Sequence, residues 1–368
     1  MRQASEAQKG PMLAAFVLPN LGGGGAERLT IDLMAGFLKR GARVDLVLLE
    51  RSGELLDMIP RGVRVIELGA ARMRSAIAPL HAYLSRERPD ALLAAMWPLT
   101  TLAQIAAFGL RSRPRIVLSE HCALREQYAG QRGTLVAMQL SMRAYRWTDG
   151  VVAVSAALGA EIAELSGLST DRVRTIHNPI DPPLRSQPPG PALWGDRKGK
   201  RILAIGKLKP QKNFALLINA FAKISPSLEA TLAIVGEGAL RQQLEMQVAQ
   251  LGLQDRVLMP GFSTTPGDWY ESADVFVMSS DYEGFGNVLV EAMHCGLPVV
   301  ATDCPYGPAE VLGSGQWGTL VPRGEVQALA AAIQAALGSP NDPERQRARA
   351  AEFAAEHAVE AYWQTLFG

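Results

Sequence analysis

The sequence predicts an α/β fold of two doubly wound domains, on three observations. Short apolar, β-branched runs alternate with helical stretches along the whole chain. Glycine-rich turns stand directly behind several of those runs, at 22–25, 236–238 and 284–286, where such folds place ligands. At 368 residues the chain is long enough for two cores, and a Pro/Gly-rich stretch through Gly190 and Pro191 divides it. The expected domains are 10–185 and 195–349.

Composition narrows the function classes. Hydrophobic content of 48% with 20% charged residues describes a soluble globular protein. A net charge of +1 gives no global attraction to nucleic acid, so electrostatic roles are local. The three cysteines (Cys122, Cys295, Cys304) show no metal-ligand spacing, which argues against zinc and fits a reducing cytoplasm. The polar start, 1–11, lacks the apolar core of a signal peptide. Residues 91–110 imitate a membrane span, but Pro98, Thr100, Thr101 and Gln104 interrupt them; a buried strand followed by a buried helix is expected.

In the first half, strand 13–18 leads into Gly22-Gly23-Gly24-Gly25, and a helix opens at Ala26-Glu27-Arg28. The loop fails the G-x-G-x-x-G fingerprint because Glu27 replaces the third glycine. Glu50, closing the strand 44–49, keeps a nicotinamide-binding reading open. Strands follow at 63–68, 91–96, 115–119, 149–154 and 173–176, with a helix at 76–86 and another reaching 110. Ser119-Glu120-His121 ends one of these strands, where α/β folds place ligand groups. From Arg111 to Arg146 stand seven arginines, no lysine and two acids, Glu120 and Glu126. Leu124, Leu135, Val136, Met138, Leu140 and Met142 are interleaved with them. That composition suits a surface held against anionic lipid or a lipid diphosphate; a solvated helix face is the competing reading.

In the second half, strand 201–205 runs into Gly206-Lys207-Leu208-Lys209-Pro210-Gln211-Lys212, a turn carrying lysines 207 and 212. Strand 230–235 ends in Gly236-Glu237-Gly238, and strand 256–259 precedes Pro260-Gly261. Strand 273–280 leads to Glu283-Gly284-Phe285-Gly286-Asn287-Val288, and a helix over 287–295 is closed by Gly296 and Pro298. The bare amides at that helix start, with its dipole, attract anions and phosphates above all. Glu283 and Glu291 stand eight apart; the first is expected in the loop at the mouth of a site, the second inside the helix. A strand at 298–301, a loop at 304–310, a helix at 328–337 and a helical end at 344–367 complete the chain.

The Glu283…Glu291 spacing resembles the E-x7-E motif of retaining glycosyltransferases of family 4, which have the GT-B fold. The Gly-Gly-Ala-Glu-Arg loop, Ser-Glu-His, His177-Asn178-Pro179-Ile180-Asp181 and Gly236-Glu237-Gly238 fall in the same family order. The resemblance implies two Rossmann-like domains facing across a cleft, with a C-terminal helix at about 350–368 crossing back to the first. It implies catalytic roles for Glu283, His121 and Lys212, with Glu283 facing the donor sugar and His121 beside it. Glu291 would bond the ribose, Met259 and its neighbours would read the base, and Gly23 and Gly24 would lie near the diphosphate. Lys207, Lys212, Gly236 and the helix start Gly284-Phe285-Gly286-Asn287-Val288 complete the donor set. Lys207 departs from the family's usual arginine and offers a point charge in place of a bidentate fork. No D-x-D occurs in the chain, so no metal or other cofactor is expected.

The implied reaction moves a hexose or N-acetylhexosamine from a nucleotide-sugar, UDP-linked first and GDP-mannose second. The implied acceptor is an undecaprenyl-diphosphate-linked glycan, met in the cytoplasm at the inner leaflet. A catalytically silent nucleotide-sugar-binding module is the alternative from another class, and no nucleic-acid partner is expected.

Overall fold

The apolar runs build two parallel sheets, one in each half of the chain. The computed structural model describes residues 10–22, 24–70, 72–186, 193–224 and 228–368. It divides into two compact units, Met1–Pro179 with Ala355–Gly368, and Ile180–Ala354.

The first unit carries β1 (Leu13–Leu18), β2 (Arg43–Leu48), β3 (Arg64–Glu67), β4 (Ala91–Ala95), β5 (Arg115–Glu120), β6 (Gly150–Ala153) and β7 (Val173–Thr175). They lie in the order β3-β2-β1-β4-β5-β6-β7, all parallel. Every residue of β1 and β4 is buried, as expected where helices cover both sheet faces. Those helices are α1 (Gly25–Lys39), α2 (Ile77–Glu87), α3 (Leu99–Ala107), α4 (Leu124–Gln127), α5 (Arg132–Met142) and α6 (Ala156–Ser166). The span-like stretch is thus β4 followed by α3, as its interruptions predict. Among the described residues no helix is long and apolar enough to cross a membrane.

The second unit holds β8 (Lys200–Ile205), β9 (Ala230–Val235), β10 (Val257–Gly261), β11 (Val275–Met278), β12 (Val299–Asp303) and β13 (Thr319–Pro322). Their order is β10-β9-β8-β11-β12-β13, again parallel. Its helices are α7 (Phe214–Lys223), α8 (Arg241–Gln250), α9 (Pro266–Glu271), α10 (Asn287–His294), α11 (Pro308–Val311), α12 (Val326–Gly338) and α13 (Pro343–Ala351). Strand order reverses between β1 and β4 in one sheet and between β8 and β11 in the other. Crevices at the carboxyl ends of such switch points are where open α/β sheets bind ligands.

Two expected boundaries move. The change of unit falls at Ile180, ahead of the Pro/Gly-rich stretch, most of which lies outside the described residues. Residues beyond it are tied to the second unit: Gly267 N donates to Leu184 O at 2.8 Å, and Ser186 N donates to Asp268 Oδ1 at 3.0 Å. The C-terminal return to the first unit comes at Ala355, later than 350, because only the last of the two helices in the helical end belongs to that unit. Arg349 of α13 donates to the carbonyls of Glu310 and Val311, at 2.7 and 3.0 Å, and so anchors that helix in the second unit. The last helix, α14 (Ala355–Phe367), packs Val359 onto Gly36 of α1, where a Cβ would come within 2.5 Å of the valine. Its Trp363 ring lies 5.1 Å from that of Phe37.

Candidate active site

The turns after β8 and β11 meet at the switch point of the second sheet. Asp281 N donates to Gln211 O at 2.8 Å, and Gln211 Nε2 donates to Tyr282 O at 2.7 Å. Ser279 Oγ donates to Lys212 O at 2.9 Å. Asn213 closes the stitch: its Nδ2 donates to Asp281 Oδ1 at 2.9 Å while its Oδ1 caps α7 by accepting from Leu216 N. Two distant turns are thereby one rigid shelf.

On that shelf Lys212 Nζ lies 2.6 Å from Glu283 Oε1, and Ser280 Oγ donates to the same oxygen at 2.7 Å. Gln211 Nε2 approaches Oε2 at 3.5 Å. Glu283 sits in the loop before α10, as expected, and is 7% exposed; the lysine and serine make that burial tolerable. Lys212 accordingly points at the carboxylate, with one of its three donors engaged there. Lys207 is exposed on the turn after β8.

Gly286 caps α10 with φ +98°, and Asn287 and Val288 form its first turn. The Phe285 ring is 2% exposed and meets Phe353 edge-on at 5.4 Å, so that residue offers a ligand only its backbone. Gly284 is buried. Glu291, in the second turn of α10, accepts from Tyr270 OH at 2.8 Å. Gly236 approaches Gly206 so closely that a Cβ would lie 2.0 Å from the Gly206 carbonyl oxygen. The carbonyl of Met259 accepts from both Arg241 Nη atoms at 3.2 Å, so arginine already occupies one backbone group assigned to reading a base. Gln211, Ser280 and Tyr270 escaped the sequence reading. Gln211 and Ser280 flank residues that it named, whereas no local pattern marks Tyr270.

The other named residues lie in the first unit. His121, at the end of β5, is buried; its Nε2 lies 2.9 Å from Ser119 Oγ, which lies 2.8 Å from Tyr362 OH of α14. Burial alone lowers the imidazole pKa to about 4. Glu120 is wholly buried on the opposite side, accepting from Trp97 N, Thr100 Oγ1 and Tyr145 OH, and desolvation raises its pKa to about 7. Gly24 caps α1, whose first residue is Gly25; Gly23 lies outside the described residues.

The arginine-rich segment is less positive than its count suggests. Arg113 pairs with Asp149 at 3.0 Å and Arg125 with Glu164 at 2.6 Å, using acids from beyond the segment. Arg115 donates to the carbonyls of Thr365 and Gly368. Leu124, Met138 and Met142 belong to the core, leaving Val136, Leu140 and Trp147 exposed beside Arg132, Arg143 and Arg146.

The family model of Glycosyltransferase Family 4 matches residues 23–183, and that of Glycosyl transferases group 1 matches residues 195–353. This chain belongs to the family 4 glycosyltransferases. Anabaena HepE, solved in complex with UDP and glucose, superposes on the glycosyltransferase with TM-score 0.78 and 25% identity, over 96% of this chain and 99% of HepE. The N-acetylgalactosamine-N,N'-diacetylbacillosaminyl-diphospho-undecaprenol 4-alpha-N-acetylgalactosaminyltransferase of Campylobacter jejuni is 40% identical over 124 residues, 34% of this chain. The match spans only 33% of that relative. The lipopolysaccharide core biosynthesis glycosyltransferase LpsE of Rhizobium meliloti is 25% identical over 93% of this chain and 96% of its own. The glycosyltransferase therefore has the GT-B pair of Rossmann-like domains and relatives in bacterial glycan assembly.

Proposed function

We propose that this glycosyltransferase moves a hexose or N-acetylhexosamine from a UDP-sugar to a lipid-linked glycan, with retention at the anomeric carbon. The observation that carries the reading is the buried Lys212–Glu283 pair at the switch point, next to the glycine start of α10. Lys212 and Ser280 hold the carboxylate in one orientation, ready to accept from sugar hydroxyls and to balance charge growing on the sugar. The diphosphate leaves against Lys207, Lys212 and the amides at the start of α10. No D-x-D occurs in the sequence and these groups suffice in sign, so the reaction runs without a bound metal. HepE binds UDP and glucose, which supports a uridine donor. The diphospho-undecaprenol in the Campylobacter relative's name supports a lipid-linked acceptor.

The test is a panel of UDP-N-acetylglucosamine, UDP-N-acetylgalactosamine, UDP-glucose, UDP-galactose and GDP-mannose, each assayed for transfer and hydrolysis with excess EDTA. Turnover of a UDP-sugar that survives EDTA, with the donor's anomeric configuration kept by NMR, is the expected result. An inverted product, or activity restored only by Mg²⁺ or Mn²⁺, would overturn the mechanism. Turnover of GDP-mannose alone would overturn the choice of base.

A further inference from the structure

The side chain of Glu291 is held at one oxygen and open at the other. Oε2 accepts from Tyr270 OH at 2.8 Å, while Oε1 makes no hydrogen bond or ion pair with any described residue. Glu291 is half-buried, so the open oxygen stays within reach of a ligand. Tyr270 is 0% exposed, and its ring lies 5.4 Å from that of Phe276 in β11. A phenol has one proton to give, and the contact to Val288 O is longer at 3.4 Å, so the carboxylate receives it.

Tyr270 is placed in turn by the seat of α9. That helix is only six residues long, and the chain that opens the second unit holds it. Gly267 N donates to Leu184 O at 2.8 Å, Ser186 N donates to Asp268 Oδ1 at 3.0 Å, and Arg185 pairs with Glu271. A Cβ on Gly267 would come within 2.7 Å of Leu184 O and 2.8 Å of Pro183 O, so backbone rests directly on backbone. Residues 183–186 and α9 form one block, all of it within the second unit.

A carboxylate held in this way suits a hydroxyl. The engaged oxygen fixes the rotation of the group, and the open one keeps its lone pairs for a donor. Hydrogen bonds to an ionised acceptor are strong but lose strength steeply with angle, so the aim of the group decides their worth. Glu291 stands four residues beyond Asn287, about 6 Å along the axis from the start of α10. A nucleotide with its diphosphate at that start carries its pentose to such a distance, with two vicinal hydroxyls.

We infer that Tyr270 is a positioning residue for the donor: seated through α9 on residues 183–186, it turns Glu291 so that Oε1 accepts from a pentose hydroxyl of the nucleotide. The ligand in this inference rests on the function proposed above; the seat of α9 and the tyrosine's hold on Glu291 do not.

Calorimetry of the full chain with UDP, 2′-deoxy-UDP and 3′-deoxy-UDP tests it. Tyr270→Phe keeps the ring against Phe276 and removes only the hydroxyl. It should weaken UDP roughly tenfold, the size of one hydrogen bond at a charged group, and raise the KM for UDP-sugar with kcat held. With at least one deoxy analogue the same substitution should cost less than about twofold, because the hydroxyl that Glu291 accepts from is gone. Gly267→Ala, which pushes α9 off residues 183–186, should also weaken UDP and should add little to Tyr270→Phe in the double variant. Equal UDP affinity in Tyr270→Phe and the wild type would overturn the inference. So would an equal loss with all three nucleotides, which marks a tyrosine that only supports the fold. Losses from Gly267→Ala and Tyr270→Phe that add in full would overturn the role given to the seat of α9. Should Tyr270→Phe not fold, Gly267→Ala against the three nucleotides reads out the same dependence on the hydroxyl. A wild type that binds no UDP would overturn the function proposed above as well, a result that no variant outcome produces.

Discussion

Glu283 and Lys212 show how one side chain can carry both chemistry and stability. Their side chains are 9% and 15% exposed, so removing one charge strands the other in a poorly solvated place. Breaking a buried pair costs about 3–5 kcal/mol, and Glu283→Ala would therefore mix misfolding with lost catalysis. Glu283→Gln keeps the shape and is the cleaner variant: its kcat should fall roughly a hundredfold while melting shifts far less than in the alanine variant. Glu291→Ala should mainly raise the donor KM. Near-normal turnover by Glu283→Gln would refute the role given to its charge. In the first unit, Glu120 and His121 are neighbours whose titrations oppose each other. Folded Glu120 keeps its proton up to about pH 7 against an ordinary 4.5, so across that window the folded state binds more protons and stability falls as pH rises. His121 gains its proton only below about 4 when folded, against an ordinary 6.5, so there the unfolded state binds more and stability falls as pH drops. Each effect is roughly 3 kcal/mol, and they nearly cancel between pH 4.5 and 6.5. Glu120→Gln should leave the histidine slope uncovered, so that urea midpoints drop from pH 6.5 to 4.5 more steeply than in the wild type. Parallel midpoints in the two proteins would contradict the assignment.

At the scale of elements, glycines decide how close the ligand-facing turns come. Gly236 has φ +148° and a Cβ there would strike the Gly206 carbonyl oxygen, backbone against backbone. Gly252 has φ +67° but open space around it. Gly252→Ala should cost roughly 1 kcal/mol from its backbone alone, and Gly236→Ala about 1–3 kcal/mol or more. Only Gly236→Ala should also weaken UDP binding, because it displaces the turn bearing Lys207; calorimetry on the pair tests this, and equal UDP affinity would dissociate that turn from the donor site. These elements were legible to very different degrees. Strands β1 and β9 run over the residues that their apolar stretches mark, broken in β9 only by Thr231, since both of their faces are covered. Strand β13 left no such mark: among Thr319–Pro322 only Val321 is buried, at a sheet edge. The glycine turns and E-x7-E glutamates were readable because each is a local pattern. The Lys212–Glu283 and Ser119–Tyr362 contacts were not, being 71 and 243 residues apart in sequence. Spacing identifies the members of one turn; sheet order decides which turns meet.

For the whole molecule the open question is where it meets its acceptor, and the surface of α5 and the turn behind it bears on that. Val136, Leu140 and Trp147 are 56%, 61% and 70% exposed. Positions 132, 136, 140 and 143 recur at helical spacing, so Arg132, Val136, Leu140 and Arg143 share a face. Arg146 lies over the Trp147 ring at 5.3 Å, and Arg113 donates to the Trp147 carbonyl, which fixes an aromatic side chain among cations. Apolar anchors set in a basic rim fit the interface of an anionic bilayer, where tryptophan also concentrates. Each arginine near such a surface contributes about 1 kcal/mol, decaying over a Debye length of roughly 8 Å at physiological salt. With Arg113, Arg115 and Arg125 engaged within the protein, Arg111, Arg132, Arg143 and Arg146 remain exposed, and the last three, beside the apolar anchors, are the working cations, enough for reversible binding. The protein should sediment with anionic vesicles at low salt and be released at high salt. Arg132→Glu/Arg143→Glu/Arg146→Glu should abolish sedimentation and impair transfer to a lipid-linked acceptor more than hydrolysis of the donor. Trp147→Ala should weaken binding even at high salt, where charge is screened and the apolar contact remains. If the wild type ignores anionic vesicles at every salt concentration, this face is a solvated one, and the acceptor has to reach the enzyme in soluble form.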